Sequence, residues 1–267
     1  MRVERILAAL ARMKRGASIG VVALALSHAA GAQRPPAVWT PSAQAPAGTL
    51  THALEAQRHD KFIETARAGD IDLVFFGTTS TEMWSWEDRG RSVWDREFGR
   101  LKAANFGSQG SQFKSLLWRM QNGELDGYRA KLFVLNFGPG DSRITNPLDD
   151  RTAEFVAGYR SIIAEIRARQ PQAKILLLAG FPRGQLTRES WREIAERNAG
   201  VFAQLEDGET VFYADFGERF YLPDGSYNPE SWGMVGRPGG PGGVGAHVPL
   251  FDLWAEELQP WLDRFVR

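Results

Sequence analysis

Three hydroxyl residues, Thr78, Thr79 and Ser80, follow Gly77 at the end of the apolar run Ile71-Asp72-Leu73-Val74-Phe75-Phe76. A hydroxyl delivered to the rim of a buried sheet is the starting material of acyl transfer, provided that a base takes its proton and backbone N–H groups hold the oxyanion. Threonine suits that role less well than serine. Its methyl group restricts the rotamers and crowds the approach to a carbonyl, and without a base the hydroxyl is inert. Two readings of Thr79 stand: a nucleophile, or a hydroxyl that bonds nearby backbone. Ser80, one residue on, points away from the same rim on a sharp turn.

Bases are scarce. His247 follows the glycine-rich run from Gly236 to Gly245 and reads either as a displaced base or as a loop residue. His59 lies in a helical segment ahead of the first strand, a structural position. Asp141, in Gly138-Pro139-Gly140-Asp141, either orients a base or caps the next segment. The glycine run lacks the Lys-Ser/Thr of a phosphate cradle and reads as a lid over a crevice. Trp84, Trp86 and Trp94 follow the hydroxyl cluster and offer faces for stacking on a sugar or acyl group, or for packing under a loop.

The elements that must position these residues are readable from periodicity. Five apolar runs, Ile71 to Phe76, Ala103 to Phe106, Leu132 to Phe137, Ile175 to Ala179 and Val211 to Phe216, alternate with segments of helical period. That alternation predicts an α/β fold with a parallel sheet covered by helices on both faces. Phe113, Leu116, Leu117 and Met120 form one helical stripe with Gly123 as its stop. Phe155, Val156, Tyr159, Ile162, Ile163 and Ile166 form a second, ending before Pro171. Ser190 with Glu193 reads as a capping box at the head of a third helix. Leu250, Leu253, Trp254, Leu258, Trp261, Leu262 and Phe265 line a terminal helix. In open parallel sheets a ligand sits beyond the carboxyl ends of the strands. The segments at those ends, Gly77 to Ser80, Gly107 to Gly110, Gly138 to Asp141 and the loop before the last helix, are rich in glycine and small polar residues, which lets backbone N–H groups approach a ligand closely.

The rest of the 267-residue chain sets bounds. Residues 1–32 carry five basic residues and then a short apolar stretch ending at Ala30-Gly31-Ala32, the pattern of a secretory signal, and the stretch is about half the ~20 residues of a membrane span. Residues 33–50, with Pro35, Pro36, Pro41 and Pro46, read as an extended linker, so one domain is expected over 51–267. Removal of residues 1–32 leaves 27 basic and 31 acidic residues and a net charge of −4, which argues against nucleic acid as the partner. The chain has no cysteine, so disulfides, thiolate catalysis and zinc-thiolate sites are excluded. Periplasmic or secreted residence follows as the expectation, with no membrane span after signal removal.

Several ordered stretches resemble the SGNH (GDSL-type) hydrolase superfamily, in particular its platelet-activating-factor acetylhydrolase-like branch. They are Arg58-His59 with Phe62 and Gly69-Asp70; Gly77-Thr78-Thr79-Ser80-Thr81-Glu82; Ala104-Asn105-Phe106-Gly107-Ser108-Gln109-Gly110; Leu117-Trp118-Arg119-Met120-Gln121-Asn122-Gly123-Glu124-Leu125; Phe181-Pro182-Arg183-Gly184; and Trp254 to Pro260. The resemblance implies a three-layer α/β/α sandwich on a flavodoxin-like five-stranded parallel sheet, hydrolysing esters through a serine. In that alignment the nucleophile falls on Thr79 and the aspartate before it on Thr78. The glycine that helps hold the oxyanion falls on Gly110, and the asparagine donor falls on Gly140. The closing Asp-x-x-His is replaced by the glycine-rich run, with Val244 three residues ahead of His247.

The resemblance therefore implies an exported ester hydrolase-like protein for acetyl or short acyl esters of carbohydrate or lipid, catalytically impaired by these changes. In serine proteases, loss of the carboxylate behind the histidine costs about 10⁴ in rate. The alternative is a pseudoenzyme that binds an acylated glycan, lipid or protein partner without turnover. Under the first reading Thr79 and His247 act as nucleophile and base, Gly110 and Gly140 lie at the oxyanion, and Thr78 and Asp141 support them. No cofactor and no metal is implied by either.

Overall fold

Apolar runs covered on both faces are what a parallel sheet requires, and all five become strands in the computed structural model, which describes residues 53–137, 150–182, 186–228 and 248–267. The strands are β1 (Leu73–Gly77), β2 (Ala103–Asn105), β3 (Leu132–Asn136), β4 (Lys174–Leu178) and β5 (Val211–Ala214). They pair in parallel in the order β2-β1-β3-β4-β5. All described residues fall within a single compact unit.

The helices are α1 (Ala53–Ala68), the single turn α2 (Thr79–Glu82), α3 (Arg91–Glu97), α4 (Phe113–Arg119), α5 (Asp150–Arg169), α6 (Arg188–Phe202) and α7 (Val248–Phe265). Successive strand residues face opposite sides, which divides the core in two. Val74, Phe76, Phe133, Leu135, Ile175 and Leu177 pack with Leu116, Met120, Tyr159, Ile162 and Ile166 of α4 and α5 and the turn between α4 and β3. Leu73, Phe75, Leu132, Val134, Leu176 and Leu178 pack with Val93 of α3 and with Leu250, Trp254, Leu258 and Leu262 of α7. Trp191 and Ile194 of α6 join the second core, and Val201 and Phe202 join the first. This is the three-layer α/β/α sandwich.

Two helix ends refine the sequence reading. Helix α4 passes into a wide turn, Met120–Glu124, in which Gly123 takes φ +118, a left-handed value that glycine alone adopts without strain. The head of α6 is a correction. Thr187, not Ser190, is the N-cap: it is extended, its Oγ1 accepts the Ser190 N–H at 3.2 Å, and Ser190 is already the third helical residue. A hydroxyl three residues upstream satisfies the same orphan N–H, and the chain leaves its extended conformation there. The expected signal (1–32), the linker (33–50), Gly140, Asp141, His247 and the run from Gly236 to Gly245 lie outside the described residues. No helix among the described residues is long and apolar enough to cross a membrane.

Candidate active site

The chain leaves β1 toward one edge to form β2 and returns to the other side of β1 to form β3, so the β1/β3 boundary is the topological switch point. Gly77, the last residue of β1, lies in register with Asn136, the last of β3. Immediately beyond Gly77 the chain turns into α2, with Thr78 as its N-cap. The Thr78 carbonyl accepts N–H groups from Thr81 at 3.1 Å and Glu82 at 3.0 Å, so Thr79 opens the turn at the rim of the sheet. A side chain at residue 77 is excluded by packing, since a Cβ there would lie 1.9 Å from Thr81 Oγ1 and 2.8 Å from the Asn136 carbonyl.

The loop after β2 is drawn against this turn. Phe106 N–H donates to the Phe75 carbonyl at 2.8 Å, and Ser108 N–H to the Gly77 carbonyl at 3.1 Å. Asn105 Nδ2 donates to the Thr81 carbonyl at 2.9 Å, while its Oδ1 accepts the Gly107 N–H at 2.9 Å. A Cβ at residue 107 would meet Glu82 N at 2.4 Å, so glycine is needed for the two segments to touch. Gly110 follows at φ +80, a conformation that favours glycine. Thr78, Thr79 and Gly110 are thus carried on two segments that the sheet brings together.

Two carboxylates, both buried, brace these segments. Glu82 Oε2 accepts the Gln109 N–H at 2.6 Å, and Glu82 Oε1 pairs with Arg58 of α1 at 2.5 Å. Glu124 is fully buried with Arg119, which donates to it through Nε at 2.8 Å and Nη2 at 2.9 Å. Arg119 also donates to the Phe106 carbonyl at 2.7 Å and to Ser111 Oγ at 3.2 Å. His59 Nδ1 lies 2.8 Å from Glu124 Oε1, and its ring packs 5.0 Å from that of Trp118. No role was read for Arg58, Glu82, Asn105, Arg119 or Glu124 from the sequence. The available signal was Arg119, a charge set inside the apolar stripe of Leu116, Leu117 and Met120.

Of the four histidines in the chain, only His59 lies among the described residues, and it is engaged with Glu124. Beyond β3, the Phe137 N–H donates to the Tyr159 hydroxyl at 3.2 Å. Burial pushes the pKa of Tyr159 well above the usual phenol range, so it serves there as a neutral acceptor. Trp84 is fully buried, its ring centroid 4.6 Å from Phe251 and 5.0 Å from Trp254, and Trp86 and Trp94 pack against the same core. The tryptophans after the hydroxyl turn are therefore packing residues. Among the described residues, no group of three or more His, Asp or Glu side chains could hold a metal ion.

A doubly wound parallel sheet with a hydroxyl-bearing turn at its switch point and a glycine loop laid against it has the SGNH hydrolase fold. Comparison with known proteins agrees: the model of the GDSL-like Lipase/Acylhydrolase family matches residues 65–235. The chain belongs to that family. It is 31% identical over 169 residues to platelet-activating factor acetylhydrolase IB subunit alpha2 of Homo sapiens, covering 63% of this chain and 69% of the relative. Subunit alpha1 of Homo sapiens is 27% identical over 168 residues, covering 63% and 68%. A solved structure described as a platelet activating factor from Streptococcus pneumonia shares the fold, with a TM-score of 0.54 at 15% identity over 82% of this chain and 99% of that one.

Proposed function

We propose that this chain is an exported, catalytically impaired ester hydrolase whose crevice, at the strand ends beside Thr79, takes acetyl or short acyl esters of carbohydrate or lipid. Family membership supports the ester chemistry, and the acetylhydrolase relatives support a short acyl group. In this reading Thr79 is the nucleophile, His247 its base, Gly110 and Gly140 line the oxyanion, and Thr78 and Asp141 support them. The observation that carries the impairment is the set of residues at the family's catalytic positions, with Thr79 in place of the serine, Gly140 in place of the asparagine and Val244 three residues ahead of His247. A threonine hydroxyl without an oriented base keeps only binding and oxyanion contacts, worth roughly 10³-fold over water.

The same three substitutions favour a second reading, a crevice that binds an acylated partner with no turnover. Hydrolysis of p-nitrophenyl acetate by the chain and by Thr79→Ala separates the readings. Slow turnover abolished by the substitution supports impairment, and equal background rates support binding alone. Turnover above about 1 s⁻¹ that disappears in Thr79→Ala would overturn the impairment, because ordinary enzymes work in that range.

A further inference from the structure

We propose that Arg58, Glu82, Arg119 and Glu124 are positioning residues for the Gly107–Ser111 loop, so that the docking of helix α1 sets the half of the loop that carries Gly110. The proposal rests on the crevice reading above for its functional consequence, and on the contacts alone for its geometry.

The loop is held in two different ways along its length. Gly107 and Ser108 are fixed by the sheet, through Asn105 Oδ1 and the Gly77 carbonyl. Beyond them the fastening passes to charged side chains. The Gln109 N–H ends on Glu82 Oε2 at 2.6 Å, and Ser111 Oγ accepts from Arg119 Nη1 at 3.2 Å. Hydrogen bonds with an ionised partner are roughly twice as strong as neutral ones, so these two contacts are strong fastenings beside the Ser111 N–H to the Ser108 carbonyl at 3.1 Å and the Ser111–Ser115 hydroxyl contact at 3.3 Å.

Both charged anchors are in turn held by α1. Consecutive residues of that helix each take one carboxylate: Arg58 pairs with Glu82 at 2.5 Å, and His59 meets Glu124 at 2.8 Å. One turn further along, the Phe62 ring lies 5.1 Å from the Arg119 guanidinium carbon. Glu124 is buried and binds Arg119 through both oxygens, which fixes the guanidinium plane and with it the direction of the donors to Phe106 and Ser111. A helix that precedes the first strand thus reaches the loop after the second through two charge relays. The Arg58–Glu82 pair holds the turn that begins at Thr79 as well as the loop, whereas the Arg119–Glu124 pair reaches the loop through Phe106 and Ser111.

The test uses the ¹⁵N-labelled full chain and amide hydrogen exchange. Glu82→Gln is close to isosteric, and Arg58→Gln removes the partner on α1, whose side chain is 23% exposed, so both variants are expected to fold. We expect exchange at Gln109 to quicken about tenfold or more in each variant, with Gly107, Ser108 and the β3 amides unchanged and Arg58→Lys restoring the original rate. Unchanged exchange at Gln109 in both variants, or a uniform rise across the whole sheet, would overturn the proposal. A parallel titration of each protein with p-nitrophenyl acetate, followed by the shifts of the Thr79 to Glu82 amides, tests the crevice. Absence of any shift in the unsubstituted chain sinks the crevice reading alone, since the exchange result is obtained without ligand.

Discussion

Asn105 and Thr81, 24 positions apart, are joined by a hydrogen bond of 2.9 Å from the Asn105 side-chain amide to the Thr81 carbonyl. The same amide reaches Ser85 Oγ at 2.8 Å, and the side-chain oxygen takes the Gly107 N–H at 2.9 Å. One side chain therefore ties the turn after β1 to the loop after β2. Asn105→Ala removes three bonds, of which the exposed one to Ser85 counts for little, and the two part-buried ones, to the Gly107 N–H and the Thr81 carbonyl, are worth about 1 kcal/mol each. We expect a loss of about 2 kcal/mol in denaturant unfolding.

The glycines of the chain should divide sharply in their tolerance of a methyl group. At Gly77 a Cβ would meet Thr81 Oγ1 at 1.9 Å and backbone at 2.8 Å, so neither neighbour can give way cheaply. Gly77→Ala should cost about 3 kcal/mol or more. Gly200, on helix α6, has nothing within 4 Å of a built Cβ. Gly200→Ala should instead stabilise the chain by about 0.5–1 kcal/mol through helix propensity. Thermal melts of the two variants check both signs.

The physical reason that the sheet was legible, and the bracing of the site was not, lies in range. Leu73 to Phe76 and Leu132 to Leu135 carry their burial in the residues themselves, so each strand announces itself within a window of six. Gly77 and Gly107 were readable as places of close approach, although what they approach was not. His59 and Glu124 stand 65 positions apart, and Glu82 and Gln109 stand 27 apart. Nothing local in a glutamate states which arginine or N–H it will meet once the sheet has closed. The cap of α6 is hidden from the sequence for a different reason. Ser190 has Glu193 three residues on and so carries the capping-box pattern, whereas Thr187 has only Ser190 there, and Thr187 becomes the cap because the extended chain turns into the helix at that point.

Asp207 should make stability depend on acid pH. Its Oδ1 accepts N–H groups from Glu209 at 3.0 Å, Thr210 at 2.7 Å and Val211 at 2.8 Å, which forms the turn into β5. Partial burial works to raise the carboxyl pKa, but the three N–H groups and the Arg167 guanidinium outweigh it and hold the value at about 2, below the unfolded value of 3.8. A carboxylate depressed on folding contributes stability above the unfolded pKa and loses it as pH falls toward the folded one. Asp207→Asn should therefore be less stable than the parent at pH 7 and equal to it below about pH 2, with the difference closing between pH 4 and 2. The side chain is 38% exposed, so screening reduces the effect to about 1 kcal/mol at pH 7. Urea titrations across that range give the curve.

Asn136 tests whether the rim of the sheet trades stability for its polar character. It ends β3 beside Gly77, it is 4% exposed, and its Nδ2 is buried with no hydrogen-bonding partner among the described residues. An orphan buried amide costs about 1–3 kcal/mol, whereas an apolar side chain of the same shape costs little. Asn136→Leu should stabilise the fold by about 1 kcal/mol and raise Tm by about 2–4 °C for a domain of this size. If the amide serves the crevice, the same variant should bind p-nitrophenyl acetate more weakly while melting higher, the trade expected where a functional group is kept at the expense of packing. A lower Tm in Asn136→Leu would show instead that the amide is fully satisfied where it stands, and that β3 ends in a structural residue.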